Sequence, residues 1–163
     1  MPEFNAKQAD NRMKLSEIFA PELVRAPLKA ADKTGAITEL VDVLSETGRL
    51  TDRDEVLRAV LDREGTRSTG IGNGLAVPHG KCAGCPKLVM AVGRPETPIE
   101  FGSTDGKPVR LIVLLASPPD ETGPHIQALA RISRLMLMEE FRRDVLAAGS
   151  PQEIYDLILK YEH

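Results

Sequence analysis

The chain has no tryptophan, and only 4% of its 163 residues are aromatic. Stacking of bases on aromatic platforms is therefore excluded as the main binding mode. Basic residues are not in excess: 21 Lys and Arg stand against 24 Asp and Glu, for a formal net charge of -3. A nucleic-acid footprint shows as a basic patch and a high pI, so no nucleic-acid partner is expected. No apolar run approaches the roughly 18 residues of a membrane span. The longest, Val109 to Ala116, is interrupted by Arg110 and has the length of a strand. The start, Met1-Pro2-Glu3-Phe4-Asn5, is polar and unlike a secretory leader. A cytoplasmic protein without membrane insertion is the expectation. There is no Gly-x-x-x-x-Gly-Lys-Ser/Thr and no evident carboxylate pair for Mg²⁺, which argues against a nucleotide-dependent kinase. No metal and no cofactor are expected. Cysteine is limited to Cys82 and Cys85, in Cys82-Ala83-Gly84-Cys85-Pro86. The spacing fits half a zinc site or a redox pair, yet a structural zinc needs about four ligands. A plain Gly/Pro turn, a redox pair and a thiol that tunes His79 all remain open.

What is present is concentrated in one stretch: Ser68-Thr69-Gly70-Ile71-Gly72-Asn73-Gly74-Leu75-Ala76-Val77-Pro78-His79-Gly80. Glycines at 70, 72 and 74 allow positive φ and close approach of backbone N–H groups to a ligand. Such concavities suit anions, phosphate above all. Leu75-Ala76-Val77 reads as a short buried strand that Pro78 stops. His79 is then presented at a strand end beside an anion cradle, a suitable address for a histidine that accepts a phosphoryl group.

The length fits one domain with its own core. Ser16 to Leu23 reads as a short turn or helix stopped by Pro21, and Val24 to Ala30 as a first strand, with Pro27 marking an edge. Asp32 caps a helix with Ala36, Ile37, Leu40, Val41 and Leu44 on one face, ended by Gly48. Thr51-x-x-Asp54 resembles a capping box for a second helix, with the stripe Val56, Leu57, Val60 and Leu61, running to about Arg63. Strands follow at Leu75–Val77, Leu88–Val92, Ile99–Phe101 and Val109–Ala116, the last covered on both faces. A helix from about Gly123 to Met138 turns Ile126, Leu129, Ile132, Leu135 and Met136 inward. A short helix over Glu140–Ala147 comes next. Ser150-Pro151-Gln152-Glu153 then starts a last helix that buries Ile154, Leu157 and Ile158. Interspersed helices and strands give an α/β or α+β class with a mixed sheet between helical layers.

Phosphoryl transfer to a histidine needs a neutral ring nitrogen, N–H donors, and cations that stabilise charge on the transferring oxygens. His79 supplies the nucleophile. His125, just after Gly123-Pro124 in the first turn of a predicted helix, lies where free N–H groups and the helix dipole favour an anion. Arg63 is the candidate cation. Ser68 and Thr69 either donate hydroxyls to the phosphate or shape the turn. Asn73 either takes a left-handed conformation or fixes the His79 imidazole. Arg67 adds positive potential or points to solvent. Asp105-Gly106 reads as a turn, and Glu64, Asp120 and Glu121 are not required, although Glu121 is close enough in sequence to orient His125.

Arg63-Glu64 followed by Ser68 through His79 resembles the active-site signature of the fructose/mannitol-type IIA domain of the bacterial phosphotransferase system, a signature shared with the nitrogen-regulatory IIA proteins. The likeness runs from about Leu15 to about Leu159, and His125 through Ser133 matches the second histidine region. The paired cysteines depart from the pattern. The resemblance implies a three-layer α/β/α sandwich with a mixed central sheet, as in mannitol-type IIA. It implies one such domain over residues 14–163, after a segment 1–13 expected to be disordered. It implies His79 as phosphoacceptor, with His125 and Arg63 stabilising the phosphoryl group and Ser68, Thr69, Gly70, Gly72, Asn73 and Gly74 forming the phosphate-binding loop. The implied partners are an HPr-like phosphocarrier as donor and, as recipient, a IIB domain of a sugar permease. A regulatory target protein is the alternative to the IIB domain. Which sugar is involved, if any, is not legible.

Overall fold

Asp32 leaves extended backbone, and its carboxylate accepts the Gly35 N–H at 2.7 Å, which starts helix α1 (Lys33–Glu46). The apolar stripe read from the sequence is fully buried on this helix. Gly48, at φ 80°, lies just past its end. The next helix, α2 (Arg53–Thr66), is capped by Asp52 through the Glu55 N–H at 3.1 Å. The expected cap at Thr51 is thus one residue early: Thr51 instead bonds the Gly84 carbonyl through its N–H at 2.8 Å and its hydroxyl at 3.1 Å. The computed structural model describes residues 13–162. The expectation of disorder therefore falls, apart from Met13, outside the described residues.

Among the described residues, six strands form one mixed sheet: β1 (Val24–Leu28), β2 (Gly70–Gly72), β3 (Leu75–Ala76), β4 (His79–Lys81), β5 (Val89–Pro95) and β6 (Leu111–Ser117). The order is β1-β5-β6-β3-β2, with β4 also paired to β6. Only β5–β6 and β2–β3 are antiparallel. β1 is at an edge, as Pro27 predicts. Ile99–Phe101 is not a strand of the sheet; Ile99 makes one isolated bridge to Val109.

β3 ends before Pro78, as the sequence predicts, and pairing with β6 resumes beyond it in β4. Leu75 pairs with Leu111 and Ala76 with Ile112, and the same register resumes with His79 opposite Leu115. The Pro78 carbonyl still accepts the Leu115 N–H at 3.0 Å. Only the N–H that proline lacks is missing from the ladder.

Helices cover both faces. Gly80 turns its Cα toward α2, where an added Cβ would lie 3.0 Å from the Val60 side chain. On the other face, Met90, Leu111 and Val113 meet Ile132, Leu135, Phe141 and Ile158, from α3 (Thr122–Leu137), α4 (Glu139–Ala147) and α5 (Pro151–Tyr161). Every residue of β6 is buried, as a strand covered on both sides requires. The architecture is the three-layer α/β/α sandwich. Two further details differ from the sequence reading. Pro21 opens a 3₁₀ turn (Pro21–Leu23) instead of stopping a helix. Ile126 is 56% exposed, because α3 is rotated so that His125 and Ala128 point inward.

Candidate functional site

Side chains alternate along a strand, so with Gly80 toward α2, His79 and Lys81 face the α3 side. Their register partners on β6 are Leu115 and Ser117. His125 comes down from the first turn of α3 to meet them. The His79 and His125 rings are 5.3 Å apart between centroids and inclined at 67°. Because β4 pairs only with β6, it forms a local sheet edge, and half-buried His79 lies on that edge.

The two imidazoles are held in definite states. His79 Nδ1 lies 2.8 Å from the Val77 carbonyl. A carbonyl can only accept, so Nδ1 carries the proton of the neutral ring and Nε2 keeps the lone pair. Burial pushes the His79 pKa below the usual histidine value. The hydrogen bond to Val77 opposes this, the charges of Arg63 and Lys81 reinforce it, and Glu64 opposes it. The ring is therefore neutral, hence nucleophilic, down to lower pH than a free histidine.

His125 is 2% exposed, and its Nδ1 lies 2.8 Å from the Ser117 hydroxyl. Ser117 is itself fully buried, and this is its side chain's one hydrogen bond among the described residues. The hydroxyl proton is satisfied only if Ser117 donates to Nδ1. The neutral ring then carries its proton on Nε2, an atom with no hydrogen-bond partner among the described residues. An unmet N–H thus sits beside the His79 ring. Burial, His79 and Lys81 together push the His125 pKa down to about 4. At neutral pH this residue is a hydrogen-bond donor without charge. The sequence reading considered Glu121 as its orienting group. The structure gives that task to Ser117, and Glu121 contributes only a backbone carbonyl to the His125 N–H, at 3.1 Å.

Arg63 occupies the last turn of α2. Its guanidinium donates to the Arg67 carbonyl at 2.9 Å, and its charge is felt at His79. The Gly-rich segment is a β-hairpin: β2, a turn at Asn73-Gly74, then β3. Asn73 (φ 57°), Gly72 (φ 101°) and Gly74 (φ 79°) take left-handed backbone conformations. Asn73 therefore serves the turn, and the His79 ring is fixed by Val77. Much of the hairpin's polar capacity is engaged within the fold. The Ser68 hydroxyl donates to the Phe101 carbonyl at 2.5 Å and accepts the Gly70 N–H at 3.0 Å. Asp105 accepts the Asn73 N–H at 3.1 Å. Gly70 has no room for a side chain, since its Cβ would fall 2.2 Å from the Ser103 hydroxyl.

Glu64, set aside by the sequence reading, anchors this hairpin to α2. It is 6% exposed, accepts both the N–H and the hydroxyl of Thr69 at 2.9 and 2.6 Å, and pairs with Lys33 at 3.2 Å. The cysteines form a turn. Cys82 extends the β4 ladder to Ser117, and the Cys85 thiol donates to the Lys87 carbonyl at 3.0 Å. Burial raises both thiol pKa values, that of Cys85 to about 11, so neither is a thiolate at neutral pH. No group of three or more metal-ligating side chains occurs among the described residues.

Three residues around the two histidines escaped the sequence reading: Val77, Ser117 and Lys81. The only signal for Ser117 was its place as the first polar residue after a buried strand. Lys81 could have been found from the two-residue alternation with His79.

Residues 17–161 match the family model described as "Phosphoenolpyruvate-dependent sugar phosphotransferase system, EIIA 2". A fructose-specific EIIA component from Haloferax volcanii is 35% identical over 88% of this chain and 94% of its own length. A fructose-specific EIIABC component from Bacillus subtilis is 35% identical over 92% of this chain, which spans only 24% of that longer protein. Among solved structures, the nitrogen regulatory protein IIA-Ntr from Neisseria meningitidis superposes with a TM-score of 0.81 at 28% identity, over 88% of this chain and 98% of that one. The mannitol IIA of Escherichia coli, in complex with phosphorylated IIB, shares the fold with a TM-score of 0.75 at 24% identity, over 88% and 99% of the two chains.

Proposed function

Since the chain belongs to the EIIA 2 family of the phosphoenolpyruvate-dependent sugar phosphotransferase system, and is thus a phosphotransferase component, we propose that His79 Nε2 is its phosphoryl acceptor. The observation that carries this is the pairing of two opposite tautomers. His79 keeps a lone pair on Nε2 because Val77 holds its Nδ1–H, and His125, its ring 5.3 Å away, carries an N–H on Nε2 because Ser117 donates to its Nδ1.

In the step, the N–P bond of a donor phosphohistidine breaks and its electron pair stays on the donor imidazole. The His79 Nε2 lone pair forms the new N–P bond. Positive charge develops on the His79 ring, and the Val77 carbonyl stabilises it through Nδ1–H. His125 Nε2–H donates to a phosphoryl oxygen, and Arg63 adds positive potential. Such stabilisation works because the groups are fixed before the charge appears. Ser68, Thr69, Gly70, Gly72, Asn73 and Gly74 support the site as a hairpin of fixed shape, tied to α2 through Glu64.

The donor is an HPr-like phosphocarrier and the recipient a IIB domain in the cytoplasm. The fructose-specific relatives and the IIB complex of the mannitol protein support a role in sugar uptake. The likeness to IIA-Ntr supports a second reading, in which the charge state of His79 governs binding to a regulatory target. Incubation with phosphoenolpyruvate, enzyme I and HPr at neutral pH is expected to place one acid-labile phosphate on His79. His79→Ala abolishes it. An unlabelled wild-type chain, with the donor proteins active on another acceptor, would overturn the assignment.

A further inference from the structure

We propose that the ammonium group of Lys81 contacts the phosphoryl group on His79, so that His79, His125 and Lys81 form one phosphoryl site. The proposal rests on the reading of His79 as the acceptor.

The placement comes from the sheet. Lys81 is two residues beyond His79 on β4, so their Cα atoms are about 7 Å apart and their side chains share a face. Its register partner is Ser117, whose hydroxyl holds His125. Lys81 Nζ lies 3.2 Å from the hydroxyl of Thr122, the first residue of α3 and one turn before His125. The lysine therefore spans from the acceptor strand to the helix start that carries the second histidine. It is exposed, and it forms no ion pair among the described residues.

Two other cations near the hairpin already have partners. Lys33 pairs with Glu64 on the α2 side, and Arg63 is turned to the Arg67 carbonyl. The positive charge of Lys81 is felt at both histidines, whereas that of Arg63 is felt at His79. An ammonium is a compact point charge with three donors on a flexible stem. It can leave a neutral hydroxyl for a dianionic phosphoryl group, and it keeps its proton throughout. Its contribution is electrostatic: it favours the phosphorylated state and the transfer that forms it.

The test uses the full chain with phosphoramidate, a small phosphoryl donor that has no docking surface. Labelling of His79 in the wild type is the reference. Lys81→Gln is expected to slow His79 phosphorylation at least about tenfold, and Lys81→Arg to stay within about threefold of wild type. Removing this charge leaves Arg63 and Glu64 as the charged groups facing His79. The His79 imidazole midpoint, read by NMR titration, is therefore expected to rise in Lys81→Gln and to return in Lys81→Arg. Wild-type labelling with an unchanged rate in Lys81→Gln would overturn the role of Lys81 alone. Absence of label on wild-type His79 would overturn the acceptor reading and this one with it.

Discussion

One proton on Ser117 decides which nitrogen of His125 carries the ring proton beside His79. Without the hydroxyl, Nδ1 has no fixed partner, and the ring can place its proton on either nitrogen. Ser117→Ala is therefore expected to mix the His125 tautomers, seen as averaged imidazole ¹⁵N shifts, and to slow phosphoryl uptake while His79 stays competent. Leaving a buried ring nitrogen unsatisfied also costs about 1–3 kcal/mol, measurable as a lower urea midpoint. An unchanged ¹⁵N pattern in this variant would remove Ser117 from the site. The histidines themselves were legible in the sequence, because Pro-His after a Gly-rich run and His after Gly-Pro are local signatures. Ser117 and Val77, which set their protonation, were not. Val77 acts through a contact two residues away that depends on the His79 rotamer, and Ser117 through one that the rotation of α3 creates.

Strand β4 carries His79, and its position depends on the one residue of the strand that points to the opposite face. Gly80 lies against α2, where an added Cβ would stand 3.0 Å from Val60 Cγ2 and 3.0 Å from the Val60 backbone nitrogen. Backbone cannot yield as a flexible side chain can, so Gly80→Ala must push β4 off α2. It is expected to cost about 1–3 kcal/mol and to lower the rate of His79 phosphorylation by displacing the acceptor from His125. Chemical denaturation and a labelling time course check the two effects. Wild-type stability would show that the contact is relieved without moving the strand. At this scale most helices were readable, since Asp32, Gly48 and Ser150 are local stop and start signals and function as such. The errors came where tertiary contacts outweighed local pattern. Thr51 is drawn to the Gly84 carbonyl, leaving Asp52 as the cap. β4 resumes pairing beyond Pro78 because β6 runs on in the same register. Ile126 faces out because His125 takes the inward position.

For the whole molecule, the buried histidines tie stability to pH. His125 has a folded pKa of about 4, against about 6.5 when unfolded. Between these values the unfolded chain binds a proton that the folded chain refuses, so folding stability falls as pH drops from about 6.5 to about 4. The lowered pKa of His79 acts in the same direction. His125→Gln is expected to flatten this part of the profile relative to wild type, with little change in slope above pH 7. Urea midpoints between pH 4 and 8 measure it, and parallel profiles for the two proteins would refute it. The sequence by itself determined the α/β class, the capped helices, the buried central strand, the two candidate histidines and the family likeness. Each of these is written in local residue patterns whose physics needs no distant partner. Only the tertiary structure decided that His79 opens a new strand, β4, paired with β6, and that Ser117 fixes the protonation of His125. It also decided that Glu64 ties the hairpin to a helix, and that Lys81 shares the acceptor's face. Those outcomes follow from sheet register and helix rotation, which are set by burial of the whole core rather than by any short stretch of chain.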